Sequence, residues 1–123
     1  VFQDMNDAIK ASIEAQKVVR NLSLDQREKI ISAIRRKTHE NAEIIANMGV
    51  NETGMGNVGD KILKHHLTAA KPPGTEDLTT IAWSGDRGLT LVEMGPFGVI
   101  GAITPATNPS ETVICNSIGM IAG

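Results

Sequence analysis

The sequence predicts an α/β protein: a helical amino-terminal layer, then a β-hairpin, then one strand–loop–helix unit. Three observations carry that prediction. Apolar residues recur at helical spacing along residues 4–70. Two short β-prone runs flank Gly85-Asp86-Arg87-Gly88. A fully apolar run, Val99 to Ile103, passes directly into Thr104-Pro105-Ala106-Thr107-Asn108-Pro109, after which a helical pattern begins.

The first helix is expected over residues 4–21, capped by Asp4, with Met5, Ile9, Ile13, Gln16 and Val19 along one stripe and Ala8, Ala15 and Leu22 beside it. A second start follows at Ser23-Leu24-Asp25-Gln26, which has the S-x-x-Q form of a capping box. Ile30, Ile31 and Ile34 then form an apolar stripe opposite Arg27, Lys29, Arg35 and Arg36. The pattern resumes at Asn41 with Ile44, Ile45 and Met48 as its apolar set, and ends near Gly54 or Gly56. A further helix is expected from Asn57 to about Ala70, closed by Lys71-Pro72-Pro73-Gly74.

Beyond the double proline, Thr79–Ser84 and Leu89–Met94 read as hairpin strands around a four-residue turn. Gly95-Pro96 ends the second strand, and Phe97 to Ile103 reads as a strand buried on both faces, as in a parallel sheet. Pro109 suits the first turn of a last helix, with Asn108 as its cap and Glu111 in its first turn. Val113, Ile114, Ser117, Ile118 and Ile121 are expected to face the sheet. These elements divide the chain into a helical layer (1–74), a hairpin (75–94) and a strand–loop–helix unit (95–123). A doubly buried strand needs parallel neighbours, so the sequence reads as one cut in mid-fold.

Composition narrows the class. With 41% hydrophobic and 21% charged residues, the chain is a globular one and not a disordered one. A net charge of -2 gives no reason to expect nucleic acid or an anionic membrane as partner. Rings are scarce (Phe2, Phe97, Trp83 and no Tyr), which argues against a base-stacking surface. A single cysteine excludes an internal disulfide framework and fits a reducing, cytoplasmic setting. No membrane span or signal peptide is expected. Val1 is not an initiator Met, which leaves an earlier start open.

A strand, a polar loop and a helix start in direct succession mark the usual ligand position of an open α/β sheet. Gly95, Gly98 and Gly101 do not form G-x-G-x-x-G and lie before and within the expected strand, so the usual dinucleotide fingerprint is absent. Cys115, on the edge of the last helix's apolar stripe, reads as structural. His65 and His66 are adjacent and point to different sides of a helix; with His39 they read as surface residues, and no metal site is expected. Arg35, Arg36, Lys37 and Glu40 read as a solvated face.

The stretch "EMGPFGVIGAITPATNPSETVICNSIGMIAG" resembles the first strand and helix of the aldehyde dehydrogenase superfamily. It is most similar to the coenzyme-A-acylating aldehyde dehydrogenases of bacterial ethanolamine and propanediol degradation. The segments "AQKVVRNLSLDQREKIISAIR", "ETGMGNVGDKILKH" and "WSGDRGLTLVEM" fit the same family, so the resemblance spans essentially the whole chain. It implies an amino-terminal portion of such an enzyme, with residues 95–123 as the start of its dinucleotide-binding domain and the nucleophilic cysteine beyond Gly123. It further implies NAD as cofactor, coenzyme A as co-substrate, a short-chain aldehyde as substrate, a homo-oligomer assembled through the hairpin region, and a place inside a bacterial microcompartment.

The family chemistry gives the loop a purpose. A thiolate adds to the aldehyde, and the resulting oxyanion needs positioned donors. In non-acylating relatives the loop reads Pro-Trp-Asn-Phe-Pro, and its Asn is one donor. Pairing the prolines without a gap puts Thr107 at that Asn and Asn108 one place later, so either is a candidate; alternatively Asn108 is a helix cap only. Ala106 takes the Trp position and widens the site, which favours the acylating branch. By resemblance, Ile103, Thr104, Pro105 and Ala106 contact the nicotinamide end of the cofactor, with Thr107 next to them. Two other functions stay open: a non-acylating aldehyde dehydrogenase, with water in place of coenzyme A, and a non-catalytic helical assembly piece.

Overall fold

Ser23 opens the longest element. Its side chain accepts from the Gln26 N–H at 3.2 Å, and the Gln26 side chain accepts from the Ser23 N–H at 2.9 Å, so both halves of the capping box are formed. In the computed structural model, which describes residues 1–123, the helix runs unbroken from Leu24 to Thr53 and stops where Gly54 turns left-handed at φ 65°. We call it α2. It follows α1 (Met5–Val19), which Asp4 caps through the Asn6 N–H. Next come α3 (Val58–Ala70), a 3₁₀ turn (Thr75–Asp77), β1 (Ile81–Gly85), β2 (Gly88–Val92) and α4 (Pro109–Ala122).

The inner face of α2 differs from the expected one. Ile44 and Met48 are 60% and 63% exposed, while Ile31, Thr38, Ala42, Ala46 and Gly49 are buried. Small residues win these positions because α3 lies close against them: a Cβ built on Gly49 would sit 4.0 Å from the Lys61 stem. Arg35, expected in solvent, is turned inward. Its guanidinium donates to the carbonyls of Ala69 (2.8 Å), Ala70 (3.1 Å) and Pro72 (2.9 Å) and to Glu76 (3.0 Å). It thereby satisfies the orphan carbonyls at the negative end of α3. Arg36 and Lys37 do stand in solvent, paired with Glu40.

α4 packs on α2 and α3. Ile118 and Ala122 meet Ile31 in the small apolar core, with Ile34, Leu78, Ile114 and Ile121 around it. Val113, expected to face a sheet, is exposed. Arg27 donates to the Ala122 carbonyl at 2.7 Å, serving the α4 end as Arg35 serves α3.

The hairpin is antiparallel, with Ile81 opposite Val92 and Gly85 opposite Gly88, so its tip is the two residues Asp86-Arg87 and not a four-residue turn. Gly88 has φ 132°, a conformation that favours glycine. The expected strand Phe97–Ile103 forms no ladder and is exposed, Ile103 to 97%. A strand needs a neighbour for its N–H and C=O groups, and β1 and β2 pair only with each other. What ties this segment down is the Phe97 N–H, which donates to the Gly123 carbonyl at 3.1 Å.

Candidate functional site

The amino-terminal halves of α3 and α4 meet beneath the loop 104–108. Asn57 starts α3 by accepting the Asp60 N–H at 2.9 Å. Lys61, His65 and Ala69 then follow at four-residue intervals and form its buried face. Pro109 starts α4, and Glu111 in its first turn is buried against that face.

Lys61 and Glu111 make an ion pair at 3.5 Å with side chains only 7% and 4% exposed. The same ammonium donates to the Thr107 carbonyl at 3.3 Å, tying the loop to α3. Burial pushes the Glu111 carboxyl up, but its own backbone N–H, the Lys61 charge, His65 and the Ser110 hydroxyl outweigh burial and hold it below the usual carboxylate range.

His65 is fully buried, against the expectation of a surface residue. Its Nδ1 lies 2.6 Å from the Lys61 carbonyl, which can only accept, so Nδ1 carries a hydrogen. Its Nε2 lies 2.9 Å from Ser110 Oγ, which is also 3.2 Å from Glu111 Oε2. The Ser110 hydroxyl has one hydrogen for two takers. Neutral His65 claims it at Nε2; an imidazolium instead donates to Ser110 and frees that hydrogen for Glu111. His39 and His66 stack 4.9 Å apart with Nδ1 atoms 2.7 Å from each other; His39 is exposed and His66 half-buried.

At the loop itself, Asn108 does not cap α4 with its side chain. Its Oδ1 instead accepts from Lys64 Nζ, and its Nδ2 donates to Thr107 Oγ1 at 3.3 Å. Thr107 and Asn108, alternatives in the sequence, are therefore joined as one pair. One amide hydrogen and the Thr107 hydroxyl hydrogen remain for another acceptor. The pair borders an open crevice of about 410 Å³ whose opposite wall is Gly56, Asn57, Asp60, Lys61 and Lys64. Ile103, Thr104, Pro105 and Ala106 run exposed beside it.

Cys115 is half-buried on α4, six residues beyond Pro109. Burial and the Glu111 charge push its thiol up, which suits a packing residue and opposes a thiolate nucleophile. Glu111 is legible in the sequence only as a first-turn acid; Lys61 and the buried pair they form are not, although the four-residue spacing of Lys61, His65 and Ala69 opposite the small residues of α2 is the available signal.

The sequence pattern of the aldehyde dehydrogenase family matches residues 2–122. An acetylating acetaldehyde dehydrogenase of Bilophila wadsworthia is 50% identical over the whole chain, which spans 25% of that relative's length. A solved propionaldehyde dehydrogenase from the Clostridium phytofermentans fucose utilisation bacterial microcompartment is 76% identical, with a TM-score of 0.94 over 100% of this chain and 28% of that one. A Rhodopseudomonas palustris propionaldehyde dehydrogenase, solved with bound propionyl-CoA, is 51% identical, with a TM-score of 0.93 over 99% of this chain and 27% of that one. The α/β fold class read from the sequence agrees with these structures. The chain belongs to the aldehyde dehydrogenase family.

Proposed function

We propose that these 123 residues are the amino-terminal part of a coenzyme-A-acylating aldehyde dehydrogenase. The reaction takes a short-chain aldehyde, coenzyme A and an oxidised nicotinamide nucleotide, NAD in our reading, to acyl-CoA, the reduced nucleotide and a proton. The observation that carries the proposal is the Thr107–Asn108 donor pair, held at the start of α4 by Lys61 and Lys64. The acylating relatives reported above support it.

When a thiolate adds to an aldehyde, negative charge gathers on the former carbonyl oxygen, and donors fixed in advance stabilise it. The free Asn108 amide hydrogen and the Thr107 hydroxyl suit that task. Asn108 is then a donor and not a cap. The nucleotide supplies the hydride acceptor when bound. Ile103, Thr104, Pro105 and Ala106 fit its nicotinamide end, because their segment is exposed and Ala106 carries no side chain beyond Cβ. Coenzyme A would accept the acyl group from the family's nucleophilic cysteine, which is not Cys115, and Ala106 leaves room beside the pair.

The hairpin, exposed along both strands including Trp83, Leu89 and Leu91, supports the reading of a homo-oligomer. The Clostridium relative supports extending the proposal to a place in a bacterial microcompartment, and no helix is long and apolar enough to cross a membrane. The test is to incubate the full-length enzyme with propanal or acetaldehyde, NAD and coenzyme A. Reduced nucleotide and acyl-CoA in equal amounts are expected. Free carboxylic acid formed without coenzyme A would favour the water-using branch instead.

A further inference from the structure

We infer that Lys64 is a positioning residue for this reaction: it holds the Asn108 amide in the orientation that turns Oδ1 to the ammonium and leaves Nδ2 free to donate. The inference rests on the proposed function. An asparagine amide turned over about its last bond exchanges its acceptor for its donors with almost no change of shape. A donor that turns over would present an oxygen to a developing oxyanion, so its orientation has to be selected.

The helix does not select it, because Asn108 makes no capping bond to α4. Lys64 does. Its ammonium has three donors and no acceptor, so only the amide oxygen satisfies it on that side. On the other side Nδ2 donates to Thr107 Oγ1 at 3.3 Å, which uses one of its two hydrogens and keeps the Thr107 hydroxyl next to the other. Lys61, three residues earlier on α3, grips the Thr107 carbonyl, so two ammonium groups from one helix face set both members of the pair.

The two lysines differ in what their removal would do. Lys61 is buried with a carboxylate. Lys64 is exposed, and its ammonium serves a neutral amide, so deleting it strands no buried ion. Its removal therefore reads orientation and not folding.

The experiment uses the full-length enzyme with propanal, NAD and coenzyme A, and compares wild type, Lys64→Met, Lys64→Arg, Asn108→Ala and the Lys64→Met/Asn108→Ala double variant. Lys64→Met is expected to lower kcat about 10–100-fold, the effect typical of a group that orients a functional one. KM and melting temperature are expected to stay at wild-type values. Lys64→Arg, which still donates, is expected to restore most of the rate. With Asn108 already removed, Lys64→Met is expected to cost nothing further, because its effect runs through that amide. An unchanged kcat in Lys64→Met, or the same fall in both backgrounds, would overturn the inference. A wild type that forms no acyl-CoA fails at the proposed function and takes the inference with it; an active wild type indifferent to Lys64→Met removes the inference alone.

Discussion

The Lys61 ammonium stands 3.5 Å from the Glu111 carboxylate with both side chains out of water, and it reaches the Thr107 carbonyl at 3.3 Å. A buried pair of this kind gains little net stability, because each ion must be stripped of water. What it gives here is geometry. It joins α3, α4 and the loop at one point, next to the residues with the proposed chemistry.

Breaking that pair is expected to be expensive. Lys61→Met should destabilise the full-length enzyme by about 3–5 kcal/mol, since Glu111 is left buried without a partner. Lys61→Met combined with Glu111→Leu should recover most of that loss. Denaturant unfolding of the single and double variants checks both statements; an equal loss in both would show that the helices need the charges themselves.

Glu111 also sets an acid limit. Its folded carboxyl lies below the ordinary range, so its contribution is fully present above the unfolded value of about 4.3 and is lost as pH falls through the folded one. Glu111→Gln should therefore flatten the stability–pH curve on the acid side and leave its slope near neutrality unchanged. Melting temperature recorded from neutral pH downward provides the comparison.

Arg35 offers a test of helix-end chemistry. Its guanidinium holds three carbonyls and the Glu76 carboxylate in one planar fork. Arg35→Lys keeps the charge but not the fork. It is expected to lose about 1.5–3 kcal/mol, the usual value of a charged hydrogen bond left unmade. Retention of wild-type stability in Arg35→Lys would mean that charge at the α3 terminus is enough.

Cys115 should behave as a packing residue. Burial, with the Glu111 charge, raises its thiol, so alkylation of the folded protein should show a midpoint above the ordinary thiol value of about 8.5. Cys115→Ala should keep kcat in the full-length enzyme. Loss of turnover in that variant would give the thiol a role that its surroundings do not suggest.

Short-range signals were the readable part of this sequence. The Ser23–Gln26 box, the Asp4 cap, Gly54 and the paired glycines of the hairpin each act within a few residues, and each stands where local chemistry puts it. Long-range choices were not readable. Ala42, Ala46 and Gly49 outrank Ile44 and Met48 on the inner face because a second helix approaches there, which no window of α2 reveals. Lys61 and His65 look like surface residues until Ser110 and Glu111 arrive from α4. The loop stands out in the sequence, yet Thr107 and Asn108 read there as alternatives, because the Asn108–Thr107 contact and the Lys64 partner exist only in three dimensions.

The most direct test of the central claim is the turnover of Asn108→Ala and Thr107→Ala in the full-length enzyme, measured with melting temperature as acyl-CoA forms from propanal, NAD and coenzyme A. Loss of an oxyanion donor typically lowers kcat about 10²–10³-fold. Asn108→Ala is expected to fall in that range with its melting temperature nearly unchanged. Thr107→Ala should fall less, because the amide remains. A lowered melting temperature with turnover retained in Asn108→Ala would make the residue a structural one and contradict the account.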